Sequence, residues 1–238
     1  MRKSLCVGLV VALSAVAVYL CSCVSSGGTL LDPKDPIFPP PELKEGVVDP
    51  TTRVITITKD GITATAEHWS RTRLNRKYTT VDMRSPFYYL ETWAQGFHSE
   101  VFHATVKNDG TRSVILKVGE TILEDDRQYK YTPSKVQDFE YKFVTKKYMD
   151  LKTKRGLELA PQIMLGGAAG ADTVVPVGET RSGFLSFTTP SSQASKVWLT
   201  LVLEKEPETA TAAYERVEFR FDFMQDPVLR ASQTPVKR

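Results

Sequence analysis

From Arg53 onward, apolar residues recur mainly at every second position. Arg53-Val54-Ile55-Thr56-Ile57-Thr58 partly alternates and is rich in β-branched side chains, and Ile62-Thr63-Ala64-Thr65-Ala66-Glu67-His68-Trp69 alternates again. Successive side chains of a strand point to opposite faces, so this period marks half-buried strands. Lys59-Asp60-Gly61 lies between the two runs as a turn signal, and together they predict a hairpin. Val101 to Lys107 predicts another strand, with Phe102, Ala104 and Val106 on one face. Asn108-Asp109-Gly110 then predicts a tight turn and Ser113 to Val118 a returning strand, continued by Thr121 to Leu123. Further strands are expected at Leu157–Ala160, Val174–Val177, Gly183–Thr188, Lys196–Glu204 and Tyr214–Phe223. Val197, Leu199, Leu201 and Leu203 share one face of their strand. Phe219, Phe221 and Phe223 do the same in the last strand, opposite Glu218, Arg220 and Asp222.

Helical spacing is clear in one place. Val136, Phe139 and Phe143, with Val144, Tyr148 and Leu151 one stripe over, follow a start signal at Thr132-Pro133-Ser134. Ser134 with Gln137 fits a capping box, and Gly156 is expected to close the helix, so the predicted span is 134–155. A shorter helix is expected from Ser85-Pro86 through Trp93, after a polar and basic stretch over residues 70–84. Many short strands with one inserted helix predict a mainly β chain, an antiparallel β-sandwich over residues 53–224. The strand content and the Gly-x-x-x-x-Gly-Phe-Leu-Ser-Phe stretch from Gly178 to Phe187 resemble secreted immunoglobulin-like β-sandwich lipoproteins. That resemblance implies an immunoglobulin-like fold and transfers no functional residue.

The N-terminus follows another pattern. Arg2 and Lys3 precede an uncharged, mostly apolar run from Leu5 to Leu20. As a helix that run is about 24 Å long, short of the ~30 Å hydrocarbon core of a bilayer. A basic start, a short apolar run and small residues after it make up a secretory signal peptide. The run ends in Leu20-Cys21-Ser22-Cys23, which resembles the lipobox of bacterial lipoproteins. Leu20 takes the aliphatic place and Ser22 the place before the modified cysteine. Modification at Cys21 would set bulky Leu20 at the cleavage point, so Cys23 is the expected lipidation site. The resemblance implies cleavage after residue 22, a diacylglycerol thioether on Cys23 and a further acyl chain on its amine. Two or more chains hold a protein on a membrane where one does not. Val24 rather than Asp after the cysteine implies the outer membrane, facing the periplasm.

All three cysteines, Cys6, Cys21 and Cys23, lie in this leader. Lipidation of Cys23 leaves the mature chain without a free thiol, which excludes an intrachain disulfide, a cysteine-ligated metal and a cysteine nucleophile. Residues 23–52 carry Pro33, Pro36, Pro39, Pro40, Pro41 and Pro50 after a Ser/Gly-rich start, and are expected to be a tether. Residues 225–238 are expected to be a mobile tail. The chain holds 31 Lys and Arg against 28 Asp and Glu, and loss of Arg2 and Lys3 lowers the net charge from +3 to +1. A near-neutral chain excludes a general nucleic-acid binder.

Candidate chemistry is sparse. His98 and His103 with Glu100 offer the residue types of a zinc site, but strand alternation sets His103 opposite the other two. His98-Ser99-Glu100 holds the residue types of a catalytic relay, but neighbours on a strand point apart. No metal, cofactor or catalytic group is expected. Glu124-Asp125-Asp126 reads as a solvated turn, and Gly166-Gly167-Ala168-Ala169-Gly170-Ala171 as a flexible loop or binding tip. Between Lys135 and Arg155 the predicted helix carries seven cations against three acids. Lys142, Lys146, Lys147, Lys152, Lys154 and Arg155 are the candidate contact for anionic lipid or an acidic partner. The expectation is a lipid-anchored, non-catalytic protein-binding or structural module of the bacterial envelope. The alternatives are an envelope hydrolase or carbohydrate-active enzyme, and a carrier of lipid or metal.

Overall fold

The computed structural model describes residues 36–87, 99–138, 150–209 and 211–229. Residues 1–35, Cys23 among them, residues 88–98, the central half of the expected 134–155 helix (139–149) and the end of the tail lie outside the described residues.

The chain is mainly β, with two antiparallel sheets packed face to face. The first sheet runs, edge to edge, Thr180–Thr188 (β10), Ser99–Asn108 (β5), Ile62–Trp69 (β4), Ile55–Lys59 (β3) and Val47–Val48 (β2). The second runs Ile37–Phe38 (β1), Glu215–Gln225 (β12), Lys196–Lys205 (β11), Val114–Leu116 (β6) and Thr173–Val175 (β9). Its β11 also pairs with Ile122–Asp125 (β7), which in turn holds Lys130–Tyr131 (β8). Alternation places one side chain in two between the sheets. Ile55, Ile57, Phe102, Phe187, Leu199, Leu201, Phe219, Phe221 and Phe223 therefore form one core, each at most 1% exposed. Full burial of such a side chain contributes about 1.5–3 kcal/mol.

The first hairpin forms as its residues predict. Lys59 pairs with Ile62, and Asp60 and Gly61 both take left-handed backbone at φ 49° and 76°. Two such residues in the turn match the twist of the flanking strands.

The Val101–Val118 hairpin does not form. β5 pairs with β4 and β10 in the first sheet, whereas β6 pairs with β11 and β9 in the second. Asn108 causes the switch. It is fully buried, and its side-chain amide donates to the carbonyls of Arg112 at 2.8 Å and Val175 at 2.9 Å while accepting from Gly110 N at 3.1 Å. These bonds turn the chain across to the other sheet instead of back along β5.

Two helices, α1 (Arg71–Tyr78) and α2 (Leu151–Ile163), add a layer on the outer face of the first sheet. Leu74 of α1 and Leu157 and Ala160 of α2 pack with Trp69, Phe87, Val101, Val136, Met164 and Phe184 in a second core. Two expectations are corrected here. Gly156 lies inside α2 rather than closing a 134–155 helix, and Leu157–Ala160 is helical rather than a strand. A new start at Asp150, whose carboxylate accepts from Thr153 N at 2.8 Å, explains the first. The second follows from packing: Leu157 and Ala160, three apart, lie on one helix face and are both buried.

The ordered domain also begins before Arg53. Ile37 pairs with Gln225 and is 1% exposed, and β2 pairs with β3, so residues 36–52 pack on the domain. Pro39-Pro40-Pro41 follow Phe38 directly and, lacking amide donors, end β1 after two residues. At the other end, Gln225 is buried and donates to the carbonyls of Ser191 and Ala194, which fastens the start of the expected tail.

Candidate functional site

The candidate contact residues divide. Cys23, Lys142, Lys146 and Lys147 lie outside the described residues. Lys152, Lys154 and Arg155 lie on the exposed side of α2. The structure brings the cations of the polar and basic stretch over residues 70–84 to the same layer. Arg71, Arg73, Arg76 and Lys77 lie on α1 and Arg84 on the segment that follows it. That segment is tied to α2: Arg84 N donates to Lys152 O at 3.1 Å, Arg84 pairs with Asp150 at 2.8 Å, and Arg155 pairs with Asp82 at 3.7 Å. Only Leu74 of α1 is buried, so its periodic signal in the sequence is too thin to announce a helix.

Beneath α1 lies a polar cluster. Glu67 of β4, His103 of β5 and Phe184 of β10 are direct cross-strand neighbours. Trp69 Nε1 donates to Glu67 Oε2 at 2.8 Å, and Arg73 pairs with the other carboxylate oxygen. The Arg73 guanidinium lies 3.7 Å and the Lys77 ammonium 4.8 Å from the centroid of the Trp69 ring. With both oxygens of Glu67 engaged, the cluster clamps α1 to the sheet. Burial depresses the pKa of His103 below the ordinary 6.5; Glu67 opposes this, and Lys77 and Arg73 reinforce it. The unfolded chain therefore binds a proton first on acidification. The contribution of His103 is fully present above pH 6.5 and is lost as the pH falls through the lower folded value. A His103→Phe variant is expected to flatten the stability profile below pH 6.5 in urea titrations, and an unchanged slope would count against this assignment.

The strands place Glu100 and His103 on opposite faces, as alternation predicts, while His98 lies outside the described residues. Glu100 lies on the core face, where His68 Nε2 meets its Oε2 at 2.8 Å, and His103 lies on the opposite face. Among the described residues, no three His, Cys, Asp or Glu side chains stand together as metal ligands would.

Glu124-Asp125-Asp126 is not a solvated turn. Asp125 is completely buried, and its carboxylate accepts from Arg127 N, Tyr129 N, the Tyr131 hydroxyl and Ser191 N at 2.9–3.2 Å. Asp126 accepts from the Ser195 hydroxyl at 2.6 Å. The glycine stretch closes on itself, with left-handed backbone at Gly166, Gly167 and Gly170 and a bond from Ala171 N to Gly166 O at 2.8 Å. It lines a shallow depression of about 410 Å³ with Asp172, Thr173, Arg181 and Ser182. The charged groups there are already paired, Asp172 with Lys117 and Arg181 with Glu179, both at 2.6 Å.

The outer edge of β12 is the remaining feature. Asp226 N donates to Pro36 O, so the even-numbered residues of β12 turn their backbone groups away from β11. β1 covers this edge only at Met224 and Gln225. Beyond it, among the described residues, no strand pairs with Arg216, Glu218, Arg220 or Asp222 on that side. Lys59 of the first sheet donates to Glu218 O at 2.8 Å and blocks the edge at that point.

No protein-family model matches the chain, and no curated protein matches it significantly in sequence.

Proposed function

We propose that this protein is a lipid-anchored, non-catalytic accessory module of the bacterial envelope, attached through Cys23 to the outer membrane and facing the periplasm. Its domain would hold a protein partner by adding an extended segment of that partner to the β12 edge. The observation that carries this reading is the run of outward backbone groups at Arg220 and Asp222 that no strand among the described residues covers, beside the point where the three prolines stop β1. Such groups recruit a further strand through main-chain hydrogen bonds. An immunoglobulin-like arrangement of the two sheets belongs to the same proposal. The interlayer space holds Phe102, Phe187, Phe219, Phe221 and Phe223, each at most 1% exposed, which supports a packed module over a carrier with an internal cavity.

The test combines anchor and edge. Cys23→Ser is expected to abolish palmitate labelling and move the protein out of the detergent phase. Arg220→Pro removes one outward N–H while leaving the β11–β12 ladder intact, a substitution that edge strands tolerate. It is expected to keep the thermal midpoint within a few degrees and to abolish the partner crosslinks recovered from intact cells. Unchanged crosslinks in that variant would refute strand addition, and unchanged detergent partitioning in Cys23→Ser would refute the anchor.

A further inference from the structure

The helical layer differs in charge from the rest of the chain. Residues 70–87 and 150–163 carry eight Lys and Arg against three Asp and Glu, although the whole protein is close to neutral. Arg76, Lys77, Lys152, Lys154 and Arg155 are exposed. Two apolar side chains stand out among them, Val81 at 83% and Leu151 at 62% exposure. Asp82, next to Val81, is held by Arg155, while Asp150, next to Leu151, is held by Arg84. The two apolar residues and the cations thus belong to one continuous face, braced by the Arg84 N to Lys152 O bond.

Lys77 and Arg155 also hold the layer together, but the exposed apolar side chains do not: Val81 and Leu151 bury little on folding. Like charges clustered together, as Lys152, Lys154 and Arg155 are, repel one another. Together they fit an anionic bilayer surface. Lysine and arginine near such a surface are attracted by its negative potential, and apolar side chains among them enter the boundary between headgroup and acyl chain. An acidic protein would satisfy the charge but gives no reason for two isolated, protruding apolar side chains.

We infer that the α1–α2 face lies on the bilayer, with Val81 and Leu151 inserted between anionic phospholipid headgroups. The β12 edge belongs to the sheet furthest from this helical layer and remains open to a partner. An anchor on Cys23 would keep the face within reach of the membrane, but the inference rests on the described residues alone.

The test uses the full chain with Cys6, Cys21 and Cys23 changed to Ser. An environment-sensitive fluorophore is placed either at Val81→Cys or, as a control away from the helical layer, at Tyr214→Cys, a position 52% exposed just before β12. Vesicles of phosphatidylcholine with about one-third phosphatidylglycerol are expected to shift the emission at position 81 to the blue, reversibly with salt, and to leave position 214 unchanged. Lys152→Ala with Lys154→Ala is expected to lower the apparent vesicle affinity roughly 25-fold, about fivefold for each cation. Circular dichroism confirms that this variant is folded. No shift at position 81, an equal shift at 214, or an equal shift with phosphatidylcholine alone would overturn the inference. So would loss of a protein crosslink in the lysine variant with its vesicle response intact, which would mark the face as a site for an acidic protein. Failure of the Arg220→Pro test leaves all these readouts unaffected.

Discussion

Asp125→Ala is expected to cost about 3–5 kcal/mol of stability, because it strands several buried donors at once. The carboxylate binds the turn after β7 through Arg127 N and Tyr129 N, and reaches the segment before β11 through Ser191 N. Water cannot replace an acceptor there, since Asp125 is fully buried. Asp125→Asn keeps the shape and one oxygen, but turns an amide N–H₂ toward Ser191 N–H or an existing donor pair, so it should lose about half as much. Urea denaturation measures both. A second readout comes from Tyr131. Burial first, then its bond to the Asp125 carboxylate, pushes its hydroxyl up to about 12. The unfolded tyrosine ionises near 10, so this contribution is complete below pH 10 and is lost as the pH rises through about 12. In Asp125→Asn the late-titrating tyrosine is expected to move back toward 10, seen by ultraviolet absorbance. If Asp125→Ala melts like the parent protein, the buried knot is not holding these loops.

Gly156→Ala is expected to reverse the usual sign of its substitution. In an ordinary helix interior alanine is favoured over glycine by about 1 kcal/mol. Here an added Cβ would lie 2.1 Å from the carbonyl oxygen of Arg84, a contact with backbone rather than with a yielding side chain. α2 would have to lift from residues 84–86, stretching the Arg84 N to Lys152 O bond and opening the second core around Leu157. A loss of about 3 kcal/mol is expected for such overpacking. Gly119→Ala is the control, because a Cβ added there would meet nothing within 4 Å. Equal stability for the two variants would show that α2 does not approach the Arg84 segment this closely. The cationic face spans the same junction, so Gly156→Ala should also weaken the vesicle response at Val81.

Both effects were hidden in the sequence for the same reason. Asp125 sits in an acidic triplet that reads as solvated, and only the return of Ser191 and Tyr131 from elsewhere in the chain makes it a buried acceptor. Gly156 follows a charged run and looks like a helix end, and only the approach of Arg84, seventy-two positions earlier, explains why a glycine is needed inside a helix. The candidate face was half visible. Its α2 cations were legible as a basic run, but those of α1 lay in a stretch with a single buried apolar residue, and no local signal joined the two.

By itself the sequence determined the long strands and their core faces, the Asp60-Gly61 hairpin and an N-terminal apolar run that ends in the pattern of a lipobox. Each depends on a residue's nearest neighbours along the chain, where strand alternation, turn conformation and a short contiguous motif act. The partners of β5 and β6, the start of α2, the open edge of β12 and the shared cationic face were decided by the tertiary structure alone. They arise where distant segments compete for the same backbone groups and the same buried space: the amide of Asn108 diverts a turn, three prolines end β1 after two residues, and one carbonyl holds a helix at the distance of a missing methyl group.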